Sequence, residues 1–169
     1  MSPKFVCQQI IDSPVGALVA SWSAQGLYSF EFLRSPPPHE EPTQATEHAG
    51  ELEDCICAYF ESGQLQWDLK CLDWTGISDF HRRTLETCFA IPCGQTQTYG
   101  QMATNLGSPG AARAVGGAMA KNRWPVLIPC HRVVGSSGKL TGYSGVGGIE
   151  TKRKLLELEQ AWAGKLLFS

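Results

Sequence analysis

The sequence predicts an α+β fold in two lobes, a small N-terminal sheet-and-helix lobe over residues 1–75 and a mostly helical lobe over residues 76–169. Three observations predict it. Short runs rich in Val, Ile and aromatic residues, broken by turn residues, are confined to the first third of the chain. Apolar residues at helical spacing fill most of the remaining two thirds. Charge divides at the same place: residues 1–75 carry three Lys/Arg against eleven Asp/Glu, and residues 76–169 carry eleven against five. A net charge of −2 therefore hides an acidic half and a basic half, and a polyanion is expected to bind the C-terminal one only.

In the first lobe Lys4–Ile10, Leu18–Ser23 and Leu27–Leu33 read as strands, separated by the turn signals Asp12-Ser13-Pro14 and Gln25-Gly26. Pro36-Pro37-Pro38 and the acidic stretch to Glu47 form a linker. Leu52, Cys55, Ile56, Tyr59 and Phe60 then recur at i, i+3, i+4, i+7 and i+8, an amphipathic helix that Gly63 ends. Cys55 and Cys57 lie two apart and face different directions on a helix, so core packing accounts for them better than a metal pair does.

The second lobe opens with a helix from Asp79 to Ala90, capped by Ser78 or Asp79 and ended by Pro92 and Gly94. A short helix over Gln101–Leu106, the turn Gly107-Ser108-Pro109-Gly110 and a second helix over Ala111–Ala120 make a helix-turn-helix unit. Ala111, Ala112, Ala114, Gly116, Gly117 and Ala118 leave the second helix almost without bulk. Two glycines cost about 1 kcal/mol each relative to alanine. That sequence makes sense where another surface approaches the backbone closely, either a neighbouring helix or a nucleic-acid groove. The last helix runs from Thr151 to Ala163 and carries Glu159 on its apolar stripe, between Leu155 and Trp162. A carboxylate facing a core is costly unless paired. Glu157, Lys152 and Lys154 align less well with that stripe.

Composition excludes several classes. With 43% apolar and 18% charged residues the chain is globular rather than disordered. No apolar run reaches the roughly 18 residues that span a bilayer, and Met1 to Phe5 lack the form of a signal peptide, so a cytoplasmic protein with no membrane partner is expected. Seven cysteines cannot all pair, and in a reducing compartment each is by default a small buried hydrophobe.

One of the seven departs from that default. Val126-Leu127-Ile128-Pro129-Cys130-His131-Arg132-Val133-Val134 reads as two buried apolar pieces interrupted by a proline and three polar or reactive residues, a break in local consistency of the kind found at functional sites. On an extended strand Cys130 and His131 would point to opposite faces. They become a working pair only where the backbone bends, and Pro129 is placed to bend it. A Cys-His dipeptide alone still leaves an ordinary core cysteine open.

The run Ile128-Pro129-Cys130-His131-Arg132-Val133-Val134 resembles the active-site signature of the O6-alkylguanine-DNA alkyltransferases, also called methylated-DNA–protein-cysteine methyltransferases. The resemblance extends upstream through Pro92-x-Gly94-x-Thr96-x-Thr98-Tyr99-Gly100, Ala111-Ala112-Arg113-Ala114-Val115-Gly116-Gly117-Ala118-Met119 and Asn122. Downstream it covers Ser137-Gly138, Gly142-Tyr143-Ser144-Gly145 and Leu155-Leu156-x-x-Glu159. It implies a winged form of the helix-turn-helix, and a DNA repair protein that moves an alkyl group from guanine O6 onto its own Cys130, once, without a cofactor. The partner implied is double-stranded DNA containing alkylated guanine, with the nucleotide flipped out and the protein acting as a monomer.

The roles implied are specific. Cys130 is the nucleophile, His131 acts through a water as the base that keeps the thiol ionised, and Glu159 orients His131. Asn122 fixes the backbone around the cysteine, Tyr99 donates to guanine N3, and Ser144 serves the O6 leaving group. The carbonyls of Cys130 and Val133 accept from the exocyclic amine, and Met119 packs on the base. Arg113 enters the duplex in place of the extruded nucleotide, with Ala112, Tyr143 and Gly145 in the flanking contact motifs. The residue types suit this chemistry, because displacement at an alkyl carbon needs a thiolate and the departing guanine anion needs a positioned donor. The product is a thioether, which water does not readily cleave. Arg82, Arg83, Lys121, Arg123, Lys139, Lys152, Arg153 and Lys154 are candidate phosphate contacts, each with an ordinary solvated charge as the simpler account.

Departures from the family pattern qualify this. Some relatives hold zinc with two Cys and two His, but Ser23 and Tyr28 stand in the second-strand region, and His39 and His48 lie near the linker, so no metal is expected. Gly145, where some relatives are bulky, implies a pocket roomy enough for a benzyl group. Arg123-Trp124 replaces a smaller pair. Three rivals have distinct signatures: an alkyltransferase-like damage sensor lacks the cysteine, a cysteine hydrolase turns over repeatedly, and a structural thiol protein does not bind DNA.

Overall fold

A computed structural model describes residues 5–34, 48–143 and 147–167, the stretch 161–167 by its backbone alone. The chain divides into two units, Met1–Thr75 and Gly76–Ser169.

In the first unit three antiparallel strands follow chain order: β1 (Cys7–Ile11), β2 (Leu18–Ser23) and β3 (Gly26–Phe32). Cys7 pairs with Trp22, and Leu18 lies opposite both Ile11 and Phe32. The strand begins later than expected because Phe5 and Val6 stay exposed and bury no face. Alternation places Leu18, Ala20 and Trp22 of β2 and Leu27, Phe30 and Phe32 of β3 in the core. The β2–β3 turn requires Gly26, which sits at φ 139° and where a Cβ would run into the Cys71 carbonyl. Helix α1 (Ala49–Ser62) buries Leu52, Cys55, Ile56 and Tyr59 and stops at Gly63, whose φ of 74° lets its N–H reach Tyr59 O at 2.8 Å. Gln9 Nε2 donates to Ala49 O (3.1 Å) and ties β1 to the start of that helix. Cys55 packs in the core, but Cys57 is exposed, so core packing accounts for one of that pair only. Ser23 Oγ donates to the buried Asp73 (2.5 Å). Among the described residues no group of three or more His, Cys, Asp and Glu is placed to hold a metal, and His39 lies outside them.

In the second unit helix α2 (Asp79–Phe89) begins under Ser78, whose Oγ accepts from His81 N–H (3.3 Å). Strand β4 (Gln97–Thr98) leads directly into α3 (Tyr99–Asn105). Thr98 Oγ1 accepts from Gln101 N–H (3.1 Å) while Gln101 Oε1 accepts from Thr98 N–H (2.8 Å), a capping box that starts the helix at Tyr99, earlier than periodicity alone indicates. Ser108 N–H reaches back to Ala103 O (2.9 Å), closing α3 before helix α4 (Ala112–Ala120). Helix α5 (Ile149–Leu167) is longer at both ends than expected.

The segment expected to be strand is mostly not. Only β5 (Val133–Val134) is extended, pairing parallel with β4 through Gln97↔Val133 and Thr98↔Val134. Before it, Trp124–Ile128 is a tight turn and Cys130–Arg132 a single 3-10 turn. Among the described residues no helix is long and apolar enough to cross a membrane.

Candidate active site

The backbone ahead of Cys130 is held by one side chain. Asn122 Oδ1 accepts from Trp124 N–H (2.9 Å) and its Nδ2 donates to Ile128 O (3.0 Å), gripping the turn at both ends. Within that turn Val126 is held at φ 73°, a conformation that costs a β-branched residue on the order of 1–3 kcal/mol. Trp124, Val126, Leu127 and Ile128 are all fully buried, which supplies the packing that over-determines it. The chain then curls at Pro129 into the 3-10 turn. At three residues per turn, successive side chains diverge widely rather than alternating between two faces. The bend expected at Pro129 is there, formed by a helical turn and not by a kinked strand.

Two of those three side chains meet Glu159 from α5. His131 Nε2 lies 2.7 Å from Glu159 Oε1, with both side chains fully buried. Arg132 Nε donates to both carboxylate oxygens (3.1 and 3.0 Å), its Nη2 to Oε1 (2.9 Å), and its Nη1 to Ile91 O (2.6 Å). Gly94 N–H adds a weaker bond to Oε2 (3.3 Å). Burial alone would raise the Glu159 carboxyl, but its bonds to His131 and Arg132 and the charge of Arg132 overcome it and hold the group far below the usual carboxylate range. Burial lowers His131, opposed by the bond to Glu159. Arg132 thus balances the carboxylate, and the imidazole stays neutral and able to accept a proton.

Cys130 is 5% exposed and lines a cavity of about 280 Å³ with Tyr99, Gly116, Met119, Ala120, Gly142 and Tyr143. That volume lies just below the roughly 300–1,000 Å³ of small-molecule sites, a size suited to one flat aromatic group. Burial pushes the Cys130 thiol up, while the Asn122 side chain, the Lys152 charge and the N–H groups of Cys130 and His131 pull it down. Desolvation is the largest of these effects and favours the neutral thiol. Tyr99 OH donates to Thr141 O (3.2 Å), and burial raises its phenol, so it remains a donor.

Lys152, expected among phosphate contacts or solvated charges, is neither. It is fully buried, and its Nζ donates to Val133 O (2.6 Å) and Thr141 O (3.1 Å) and lies 5.9 Å from the Tyr99 ring centre. Val133 O is thus already an acceptor, and Cys130 O accepts from Val133 N–H, so each has one lone pair left for a ligand.

Arg113 is exposed on the first turn of α4 beside half-buried Ala112, away from the cavity lining. Ser144 and Gly145 lie outside the described residues. The small-residue helix faces two ways. A Cβ at Gly116 would only touch the Tyr99 ring at 4.0 Å, whereas one at Gly117 would meet nothing within 4 Å, so among the described residues that face carries no packed neighbour. Of the other basic residues, Arg82 pairs with Glu86 and Arg153 with Glu150, Arg123 stacks on Trp124, and Arg83, Lys121, Lys139 and Lys154 are exposed.

Sequence reasoning missed Arg132 as the carboxylate's second partner, Lys152, and the cavity-lining Gly116, Ala120 and Gly142. A signal existed for two groups. Lys152, Leu155 and Glu159 stand at i, i+3 and i+7 of one helix face, and Gly116, Met119 and Ala120 at i, i+3 and i+4 of another.

Known proteins resemble the chain over most of its length. The family model described as the DNA-binding domain of 6-O-methylguanine DNA methyltransferase matches residues 79–161. The chain is 41% identical over 158 residues to the methylated-DNA–protein-cysteine methyltransferase of Mycobacterium bovis, covering 90% of this chain and 92% of that one. It is 40% identical over 155 residues to that of Methanosarcina barkeri, covering 89% and 95%. The crystal structure of Mycobacterium tuberculosis OGT in complex with DNA superposes with a TM-score of 0.76 at 40% identity, over 92% of this chain and 93% of the other. The chain belongs to the methylated-DNA–protein-cysteine methyltransferase family.

Proposed function

We propose that this protein repairs DNA by moving an alkyl group from O6 of guanine onto Sγ of Cys130, once per molecule. The observation that carries the reading is a cysteine on a cavity wall, in one 3-10 turn with a neutral buried histidine whose partner is a charge-balanced carboxylate.

His131 takes the thiol proton, through a water, as the sulfur attacks the alkyl carbon. The C–S bond forms as the C–O6 bond breaks, and the electron pair passes to the guanine ring. Tyr99 supplies a proton at N3 and recovers one from the proton released by the thiol, so the net exchange is thiol and alkylguanine for thioether and guanine. Asn122 holds the backbone, Met119 and Tyr143 flank the base, and the carbonyls of Cys130 and Val133 offer their free lone pairs to its amine. Ser144 serves the O6 leaving group, the role the family resemblance implies for it. The reactive oxygen lies inside the base stack, so the nucleotide must be extruded. Arg113, exposed at the start of α4, fills the gap, and the open face at Gly117 lets the helix backbone seat close to a groove. Seven free thiols support a cytoplasmic setting, and one chain supplies every group named, which supports action as a monomer.

With duplex DNA containing O6-methylguanine, peptide mass mapping is expected to find one methyl group on Cys130 and a plateau at one equivalent. Cys130→Ser should transfer none. Turnover beyond one equivalent, or transfer by the serine variant, would overturn the reading. O6-benzylguanine as the free base should also modify Cys130; an unmodified peptide at high excess sinks the roomy pocket attributed to Gly145.

A further inference from the structure

We propose that Lys152 is the counter-ion of the Cys130 thiolate, a buried ammonium fixed by two backbone carbonyls beside the cavity, balanced when the sulfur ionises and left unbalanced when the sulfur is alkylated. The inference rests on the reading of Cys130 as the alkyl acceptor.

A fully buried ammonium is expensive unless an anion or a full set of acceptors compensates it. Among the described residues, Lys152 meets the dipoles of Val133 O and Thr141 O and the distant edge of the Tyr99 ring's field. Among the described residues no carboxylate pairs with it, and Glu159, the buried carboxylate of the same helix, is occupied by His131 and Arg132. If bridging two carbonyls were the whole task, a neutral donor would do it without burying a charge.

Three groups respond to Lys152: the Cys130 and Cys88 thiols, and the His131 imidazole, which its charge helps to keep neutral. Its own ammonium is lowered by burial and raised again by Cys130 and Cys88, and its charge lowers both thiols. Cys88, on α2, is fully buried and pushed well up, so it remains a thiol. Cys130 borders the cavity and has further support from Asn122 and two backbone N–H groups. The other titratable groups near the sulfur do not substitute for Lys152. His131 is neutral, Arg132 is spent on Glu159, and Tyr99 and Tyr143 are phenols that burial keeps protonated.

The test compares Lys152→Gln, which keeps donors for the carbonyls, with Lys152→Met, which does not. The rate of iodoacetamide labelling is followed against pH on the Cys130 peptide, so that the other six cysteines do not contribute. Both variants should move the labelling midpoint upward by about one pH unit or more, a roughly tenfold loss of thiolate below it. Methyl transfer from duplex DNA should slow by the same factor. A Gln variant with the wild-type midpoint would overturn the proposal and leave Lys152 a mere tie between carbonyls. Should both variants fail to fold, titration of the ¹⁵N-labelled Lys152 ammonium in wild type and Cys130→Ser decides. Loss of the sulfur should lower the lysine midpoint, and equal midpoints would refute the pairing. If wild-type Cys130 takes no methyl group yet its midpoint still depends on Lys152, the proposed function fails and the counter-ion stands.

Discussion

Glu159→Gln should unfold about 3–5 kcal/mol more easily than the wild type, a fall in thermal midpoint of roughly 6–20 °C by calorimetry. The substitution keeps the shape of the side chain and removes its charge. Arg132, which spends three of its bonds on that carboxylate and is 5% exposed, would then be an unpaired cation in the core. Adding Arg132→Met should recover part of the loss, because the double variant buries no net charge; a double variant as unstable as the sum of the two single ones would contradict this. Methyl transfer should slow by about 10²-fold or more, since His131 loses the group that orients it.

Acid acts on the same network, and the sign is set by two lowered groups. The Glu159 carboxyl is held far below its ordinary range, so its contribution is complete above about pH 4.3 and is lost as pH falls toward the folded value. Burial lowers His131, so below about pH 6.5 the unfolded chain binds a proton that the folded one refuses, and stability falls again in the acid direction. The wild type should therefore weaken from about pH 6.5 downward and more steeply below about pH 4.3. Glu159→Gln should keep the first decline and lose the second.

What the sequence revealed and concealed divides along physical lines. Apolar periodicity, caps and turn residues located helices α1 to α5 and the strands of the first unit, where a glycine or cap marks the ends, as Gly63 ends α1. The same reasoning failed between Val126 and Val134. A run of buried apolar residues reads as strand, whereas the bonds of Asn122 to Trp124 and Ile128 and the backbone bond from Ile128 N–H to Trp124 O, none of them visible in hydropathy, hold it as a tight loop ahead of the 3-10 turn. Glu159 was legible because a carboxylate on an apolar stripe breaks a strong rule. Lys152 faces the core with Glu159, against its poorer alignment with the stripe in the sequence, and reads there as a phosphate contact or solvated charge because lysine is ordinarily exposed and its two partners, Val133 O and Thr141 O, are backbone atoms that no sequence pattern marks. Arg132 was hidden for a similar reason: its charge answers Glu159, which is 27 residues away.

Tyr99→Phe should slow methyl transfer by about 10²-fold while leaving the affinity for duplex DNA within about twofold, measured by single-turnover rates beside equilibrium binding. The ring is fixed by the chain that carries it: Thr98 caps α3, the β4–β5 pairing sets Thr98 against Val134, and Tyr99 is the first helical residue after them, with its ring on the cavity wall beside Cys130. Phenylalanine preserves that wall. What it removes is an O–H that burial keeps protonated, and that the charge of an ionised Cys130 would hold more firmly still. The departing guanine carries a full negative charge unless a donor meets it, and in a dry cavity that charge is far more costly than in water. Stability should change little, because Thr141 O, the acceptor in the free protein, retains its bond from Lys152 Nζ (3.1 Å). A rate within threefold of wild type would assign the leaving-group proton to another donor, whereas equal losses of rate and DNA affinity would make Tyr99 a binding residue and not an acid.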